Sequence, residues 1–225
     1  MGVRLWRLLV AWSRSQRGTG VCLVVWYAVS YLPYVCLNHL ISVRVGLEHG
    51  ADIAAVERGL GIPQSLYGVW SGPVWSAVYE LPHMVMLLAF VPVVIVFRRD
   101  VRWRALAQVA LLLVCCDAFW VLWPAAPPWL LYGGGAMPIS SGIAQYATMP
   151  SYHVALAAVV ARYFPRVGRP YAVCMTVIVV LTGNHYVLDA VAGWFVEWAA
   201  FAAVLLGGDY LRLRRLRARL RMVVA

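Results

Sequence analysis

The chain has 225 residues, 63% of them hydrophobic and 12% charged, with a mean hydropathy of +0.76. That balance excludes an ordinary soluble domain and leaves room for one membrane domain of several spans. The net charge of +10 does not indicate a nucleic-acid partner, because all 19 basic residues are arginines clustered between and beyond apolar runs, where they act as topology signals and contacts for anionic lipid headgroups.

Residues 1–19 carry Arg4, Arg7, Arg14 and Arg17 among Leu5, Trp6, Leu8, Leu9 and Trp12, a pattern that predicts an interfacial amphipathic helix. A cleavable signal peptide is the rival reading, but the following apolar run is long and lacks a small-residue cleavage site. The membrane domain is expected at 20–207, an all-α bundle of six spans at roughly 20–43, 74–97, 105–123, 147–164, 170–185 and 187–207. The first two spans are separated by a loop containing an amphipathic piece, Asp52 to Leu60, ended by Gly61-Ile62-Pro63. The stretch 124–148 has no charged residue and is rich in Pro, Gly and Ser, as in a re-entrant or surface loop. A basic tail, 208–225, sets Leu213, Leu216 and Leu220 at helical spacing among arginines and is expected along the inner leaflet. The five cysteines, Cys22, Cys36, Cys115, Cys116 and Cys174, sit inside apolar runs and read as small buried hydrophobes.

With six spans, 17 of the 19 arginines fall on one side of the membrane, leaving only Arg44 and Arg58 on the other. The positive-inside rule then places both termini in the cytoplasm and turns loops 44–73, 124–148 and 184–188 outward. The absence of lysine, with abundant Ala and Val, points to a GC-rich bacterial genome and hence a bacterial plasma membrane.

Two polar clusters lie at outward ends of these spans: Pro150-Ser151-Tyr152-His153 and Gly183-Asn184-His185-Tyr186-Val187-Leu188-Asp189. Pro150 and Ser151 suit a helix start, and such an N-terminus favours an anion. His185 and Asp189 are four residues apart, so on a helix they share a face and the carboxylate can orient the imidazole. A His so oriented is a competent nucleophile or base, and a second His can protonate a leaving group. A lone His near an interface is usually an ordinary polar residue; two with an Asp in an apolar run are harder to dismiss, and spacing alone leaves both the catalytic and the ordinary reading open.

The segments MPSYHVALA and TGNHYVLDAVAG resemble the second and third signature motifs of the type 2 phosphatidic acid phosphatase superfamily. The nearer likeness is to its bacterial branch related to inositol-phosphorylceramide and sphingomyelin synthases, a branch also resembled by the Trp-Pro-Ala-Ala-Pro-Pro-Trp-Leu-Leu run at 123–131 and by Tyr79 with His83. The likeness spans about residues 45–206. It implies a six-helix membrane bundle with an in-line phosphoryl-transfer site and no metal or other cofactor. By motif position, His185 would form a phosphohistidine, Asp189 would orient it, and His153 would protonate the leaving group. Ser151 and nearby backbone N–H groups would hold phosphate oxygens.

The match departs from the family where phosphate is usually neutralised. Val179 stands where the wider superfamily has an Arg, and Trp129 follows Ala-Pro-Pro where Arg is usual in related bacterial sequences; no arginine remains in 124–148. Phosphoryl transfer leans on charge stabilisation, so Arg58 or Arg44 is a candidate substitute. The plainer reading gives Arg44 a snorkelling role and sets Arg58 on a solvated face with Glu57. Glu80, His83 and Asp117 interrupt apolar runs; His83 is expected beside the phosphate site and Asp117 bonded to a neighbouring helix, ahead of any cation site. Tyr152, Trp120, Trp123, Trp129, Tyr132 and Trp194 form either an interfacial aromatic belt, the preferred reading, or the wall of a substrate pocket.

The expected substrate-binding set is therefore Ser151, Tyr152, Asn184, His83, Trp129 and Arg58, around catalytic His185, His153 and Asp189. The expected partners are membrane lipids and a lipid phosphate or prenyl diphosphate substrate met at the outer face. Two alternatives stay open: altered chemistry on a prenyl diphosphate, by ionisation or cyclisation, and a non-catalytic lipid-binding relative.

Overall fold

The computed structural model describes residues 43–97, 101–133 and 147–224, with the side chains of 43–46, 87–88, 91–92, 95–97 and 211–224 excepted. The expected N-terminal amphipathic segment, most of the first span, Cys22, Cys36 and the Arg44 side chain lie outside the described residues, as does the middle of the 124–148 loop. The described chain is all-helical: α1 (Val43–Gly59), a 3-10 turn (Gln64–Leu66), α2 (Pro73–Phe97), α3 (Arg102–Leu122), α4 (Pro128–Tyr132), α5 (Tyr152–Tyr163), α6 (Pro165–Leu181) and α7 (Val187–Val224).

The short helix α5 is the hub. Every residue from Val154 to Ala161 is buried, so this helix is apolar all round and needs neighbours on every side. One side packs with Val94 of α2 and Val109 and Leu112 of α3; another packs with Ile53 of α1, Met175 and Val179 of α6, and Ala190 of α7. Gly193 lets α7 come close, since a Cβ there would stand 2.6 Å from the Ser151 carbonyl oxygen. The outer faces stay apolar: Leu81 and Val85 on α2, Val114 and Leu122 on α3, Phe195 and Trp198 on α7 are all exposed. Among the described residues two helices, Arg102–Leu122 and Val187–Tyr210, are long and apolar enough to cross a membrane.

Some boundaries differ from expectation. Helix α5 begins at Tyr152 rather than near 147, because 147–151 runs extended beside Ala125 and spends its polar groups on other segments. Its 12 residues rise only about 18 Å. Helix α7 runs unbroken for 38 residues, joining the expected last span to the tail. Near the end of α5 remote from Ser151, the Arg162 guanidinium donates to Glu197 at 2.5 and 2.8 Å, and Gln108 donates to the same carboxylate at 2.6 Å. This network ties α5, α3 and α7 through a buried acid.

Candidate active site

The site begins at the N-terminus of α5. Ser151, fully buried, caps the helix by accepting the Val154 N–H at 3.4 Å, as its type and place predict. Its own N–H donates to the Asp189 carbonyl at 3.0 Å, which fastens this helix start to the first turn of α7. His153 follows two residues later.

The second motif forms the tight turn between α6 and α7. Gly183 sits at φ +73, in the left-handed region that favours glycine, and the N–H groups of Asn184 and His185 both donate to the Val179 carbonyl. Asn184 is buried and its amide donates to Thr182 Oγ1 at 3.0 Å. The His185 ring is held chiefly by a backbone group: Nδ1–H donates to the Thr148 carbonyl at 2.9 Å. Asp189 Oδ2 lies 3.6 Å from the same nitrogen and accepts the Tyr186 N–H at 2.9 Å. Asp189 is thus close to His185, as its spacing predicts, but the hydrogen bond that sets the tautomer comes from Thr148. With Nδ1 protonated, Nε2 carries the lone pair.

That Nε2 faces α2. The Tyr79 hydroxyl is 3.5 Å from His185 Nε2 and 3.1 Å from His153 Nδ1. One turn on, the His83 ring lies over His153 with centroids 3.8 Å apart, and the His153 and His185 rings are 5.6 Å apart. Three histidines, from α2, α5 and the turn between α6 and α7, therefore share one cluster, with His83 and His185 buried and His153 partly so. His83 Nδ1 is buried without a hydrogen-bond partner among the described residues. Tyr152 packs edge-on against both His83 and Trp120, and its buried hydroxyl is likewise unpartnered among them.

The other expected members are more distant or differently employed. Trp129 is half-buried at the start of α4, and its N–H donates to the Gly183 carbonyl at 3.0 Å, so it braces the histidine turn through backbone. Arg58 is exposed and donates to the Tyr132 hydroxyl at 3.4 Å, which in turn donates to Gln64 at 2.5 Å; none of its hydrogen bonds reaches a histidine. The aromatic set divides: Tyr152 adjoins His83 and is backed by Trp120, whereas Trp123, Tyr132 and Trp194 are exposed.

Glu57 overturns the reading of a solvated face. Its side chain is fully buried; Oε1 accepts the Leu188 N–H at 2.8 Å and Oε2 accepts the Tyr67 hydroxyl, whose oxygen accepts the Val187 N–H at 3.3 Å. A carboxylate is favourable there because the first N–H groups of a helix lack partners and carry partial positive charge. Burial pushes the Glu57 carboxyl above its ordinary value, with the Tyr67 and Leu188 hydrogen bonds opposing the rise. The Tyr67 hydroxyl is also raised, first by burial and then by its bond to Glu57. Helical spacing contained the signal: Gly50, Ile53, Ala54 and Glu57 form one buried stripe, while Asp52, Val56 and Arg58 face outward. No comparable pattern in the sequence pointed to Thr148.

Among the described residues no group of three His, Cys, Asp or Glu side chains has a geometry suited to a metal ion. No curated protein and no solved structure matches the chain. The profile of one family does match, over residues 52–203, a range that contains Tyr79, His83, both signature histidines, Asp189 and the Glu57 clamp. With two thirds of its length so matched, the chain belongs to the PAP2 superfamily.

Proposed function

We propose that this protein is a membrane phosphatase or phosphotransferase acting on a lipid phosphate or polyprenyl (di)phosphate through a phosphohistidine on His185, in the branch related to inositol-phosphorylceramide and sphingomyelin synthases. Superfamily membership supports phosphate chemistry on a lipid. The observation that carries the mechanism is the state of His185: its Nδ1–H is committed to Thr148, and its Nε2 is linked to His153 Nδ1 through the Tyr79 hydroxyl. In the first step Nε2 attacks phosphorus, the bond to the leaving oxygen breaks, and His153 gives that oxygen a proton. In the second, the hydroxyl of water or of an alcohol acceptor attacks phosphorus, His153 takes its proton, and the P–N bond breaks. Asp189 lies 3.6 Å from Nδ1, where it offsets the positive charge that the imidazole gains in the intermediate.

The domain is read as six spans over 20–207, flanked by the 1–19 segment and the 208–225 tail, with both termini cytoplasmic and the histidine cluster at the outer face of a bacterial plasma membrane. The arginine distribution and the apolar outer faces of the helices support this reading. The test is phosphate release from a panel of lipid phosphates and prenyl diphosphates by detergent-purified protein. His185→Ala should lose about 10³-fold or more. Full activity in that variant would sink the mechanism.

A further inference from the structure

Phosphoryl transfer needs donors for the oxygens on which negative charge is spread. The Ala-Pro-Pro run continues here with Trp129, and the nearest outward arginine with a described side chain, Arg58, is bonded to Tyr132. Among the described residues, the donors nearest the reacting histidines lie elsewhere in the cluster. One hydroxyl stands within hydrogen-bond reach of both histidines assigned to the two ends of the reaction: that of Tyr79, 3.1 Å from His153 Nδ1 and 3.5 Å from His185 Nε2.

We propose that Tyr79 is a catalytic residue whose hydroxyl, bridging His153 and His185 in the resting site, donates a hydrogen bond to a non-bridging phosphoryl oxygen in the transition state. The inference rests on the phosphohistidine reading of His185. Geometry supports it in three ways. A phosphorus atom attacked by Nε2 of His185, with its leaving oxygen protonated by His153, lies beside the hydroxyl that bridges the two rings in the resting site. Tyr79 is buried, 6% exposed, and its ring packs at a tilt against the His153 ring with centroids 4.3 Å apart, so the hydroxyl is held from helix α2 rather than from a loop. Its proton has a defined alternative partner before substrate arrives, because His185 Nδ1–H already donates to Thr148 and Nε2 is left as an acceptor. When a phosphoryl group occupies Nε2, that acceptor is consumed and the hydroxyl turns its proton to the nearest oxygen. No proton leaves Tyr79 in either step. His83, whose ring lies over His153 and whose Nδ1 is unpartnered among the described residues, is placed to complete the same neutral cradle.

The experiment uses the full chain in detergent, with orthovanadate as a mimic of the transferring group and dioctanoyl phosphatidic acid as substrate. Tyr79→Phe keeps the ring and removes only the hydroxyl. It should lower kcat about 10²–10³-fold and weaken vanadate binding by a similar factor, with KM changed less than about threefold. Wild-type vanadate affinity and an unchanged rate of His185 phosphorylation in Tyr79→Phe would overturn the role of Tyr79 alone. A wild-type protein that neither binds vanadate nor labels on His185 would instead overturn the phosphohistidine reading. Should Tyr79→Phe fail to fold, 3,5-difluorotyrosine at position 79 preserves the shape with a more acidic hydroxyl. The alkaline limb of the kcat profile should then move to lower pH; an unmoved limb overturns the proposal.

Discussion

His185 owes its tautomer to a carbonyl. Thr148 accepts its Nδ1–H at 2.9 Å, while the Asp189 oxygen stands farther off at 3.6 Å. Where a carboxylate alone sets a catalytic tautomer, amide replacement costs roughly 10⁴-fold in rate. Here Asp189→Asn should leave the tautomer intact and lose mainly the electrostatic support of the charged intermediate. The expected fall in kcat is about 10- to 100-fold, with a melting temperature lowered only modestly, since the Tyr186 N–H keeps an oxygen acceptor. Steady-state kinetics checks this; a loss near that of His185→Ala would assign Asp189 the tautomer role after all. The histidines and Asp189 were legible as residue types at fixed spacing. Thr148 was not, because a backbone carbonyl carries no side-chain signature and its value depends on a fold that brings 148 beside 185.

At the scale of elements, the site is a matter of how two helix starts are held. Ser151 fastens the start of α5 to Asp189 of α7 through backbone, and Glu57 with Tyr67 fastens the start of α7 to α1. Glu57→Ala should leave the Leu188 N–H and the Tyr67 hydroxyl buried without an acceptor, at a cost of about 1–3 kcal/mol for each. Glu57→Gln keeps the shape and one acceptor and should cost less. The pH dependence has a definite sign. Because the folded-state value of Glu57 is raised, its relative contribution to stability is full below the ordinary glutamate value of 4.5 and is lost as pH rises through the raised value. Thermal unfolding in detergent should show this decline in the wild-type protein and a flatter profile in Glu57→Gln; identical profiles would contradict a raised, titrating Glu57. Helix limits followed from apolar runs where nothing competed, as in α2, found at Pro73–Phe97 against an expected 74–97. They failed at 147–151, where Pro150, Ser151 and the carbonyl of Thr148 are drawn into contacts that a hydropathy window does not register.

For the whole molecule, membrane character was plain from composition, and the family from two motifs and their order. The described helices agree with that origin: α5 buried on all sides, with apolar faces turned outward on α2, α3, α6 and α7. What composition misled about was Glu57, since a charge next to another charge reads as solvated until helical phase is considered. Electrostatics remains the unusual property of the site, because its described neighbours are histidines, tyrosines and a capping serine rather than guanidinium groups. Under the proposed mechanism, the described donors nearest the reacting histidines are the Tyr79 hydroxyl and the start of α5. The most direct measurement is phosphoenzyme trapping: right-side-out vesicles, in which added substrate meets the outer face, are quenched in alkali during turnover of a ³²P-labelled short-chain lipid phosphate. The expected result is an acid-labile, alkali-stable label on His185, present in His153→Ala at a reduced rate of release and absent from His185→Ala. Turnover without label on His185 would contradict the phosphohistidine mechanism, and label appearing only in inverted vesicles would contradict the outward orientation.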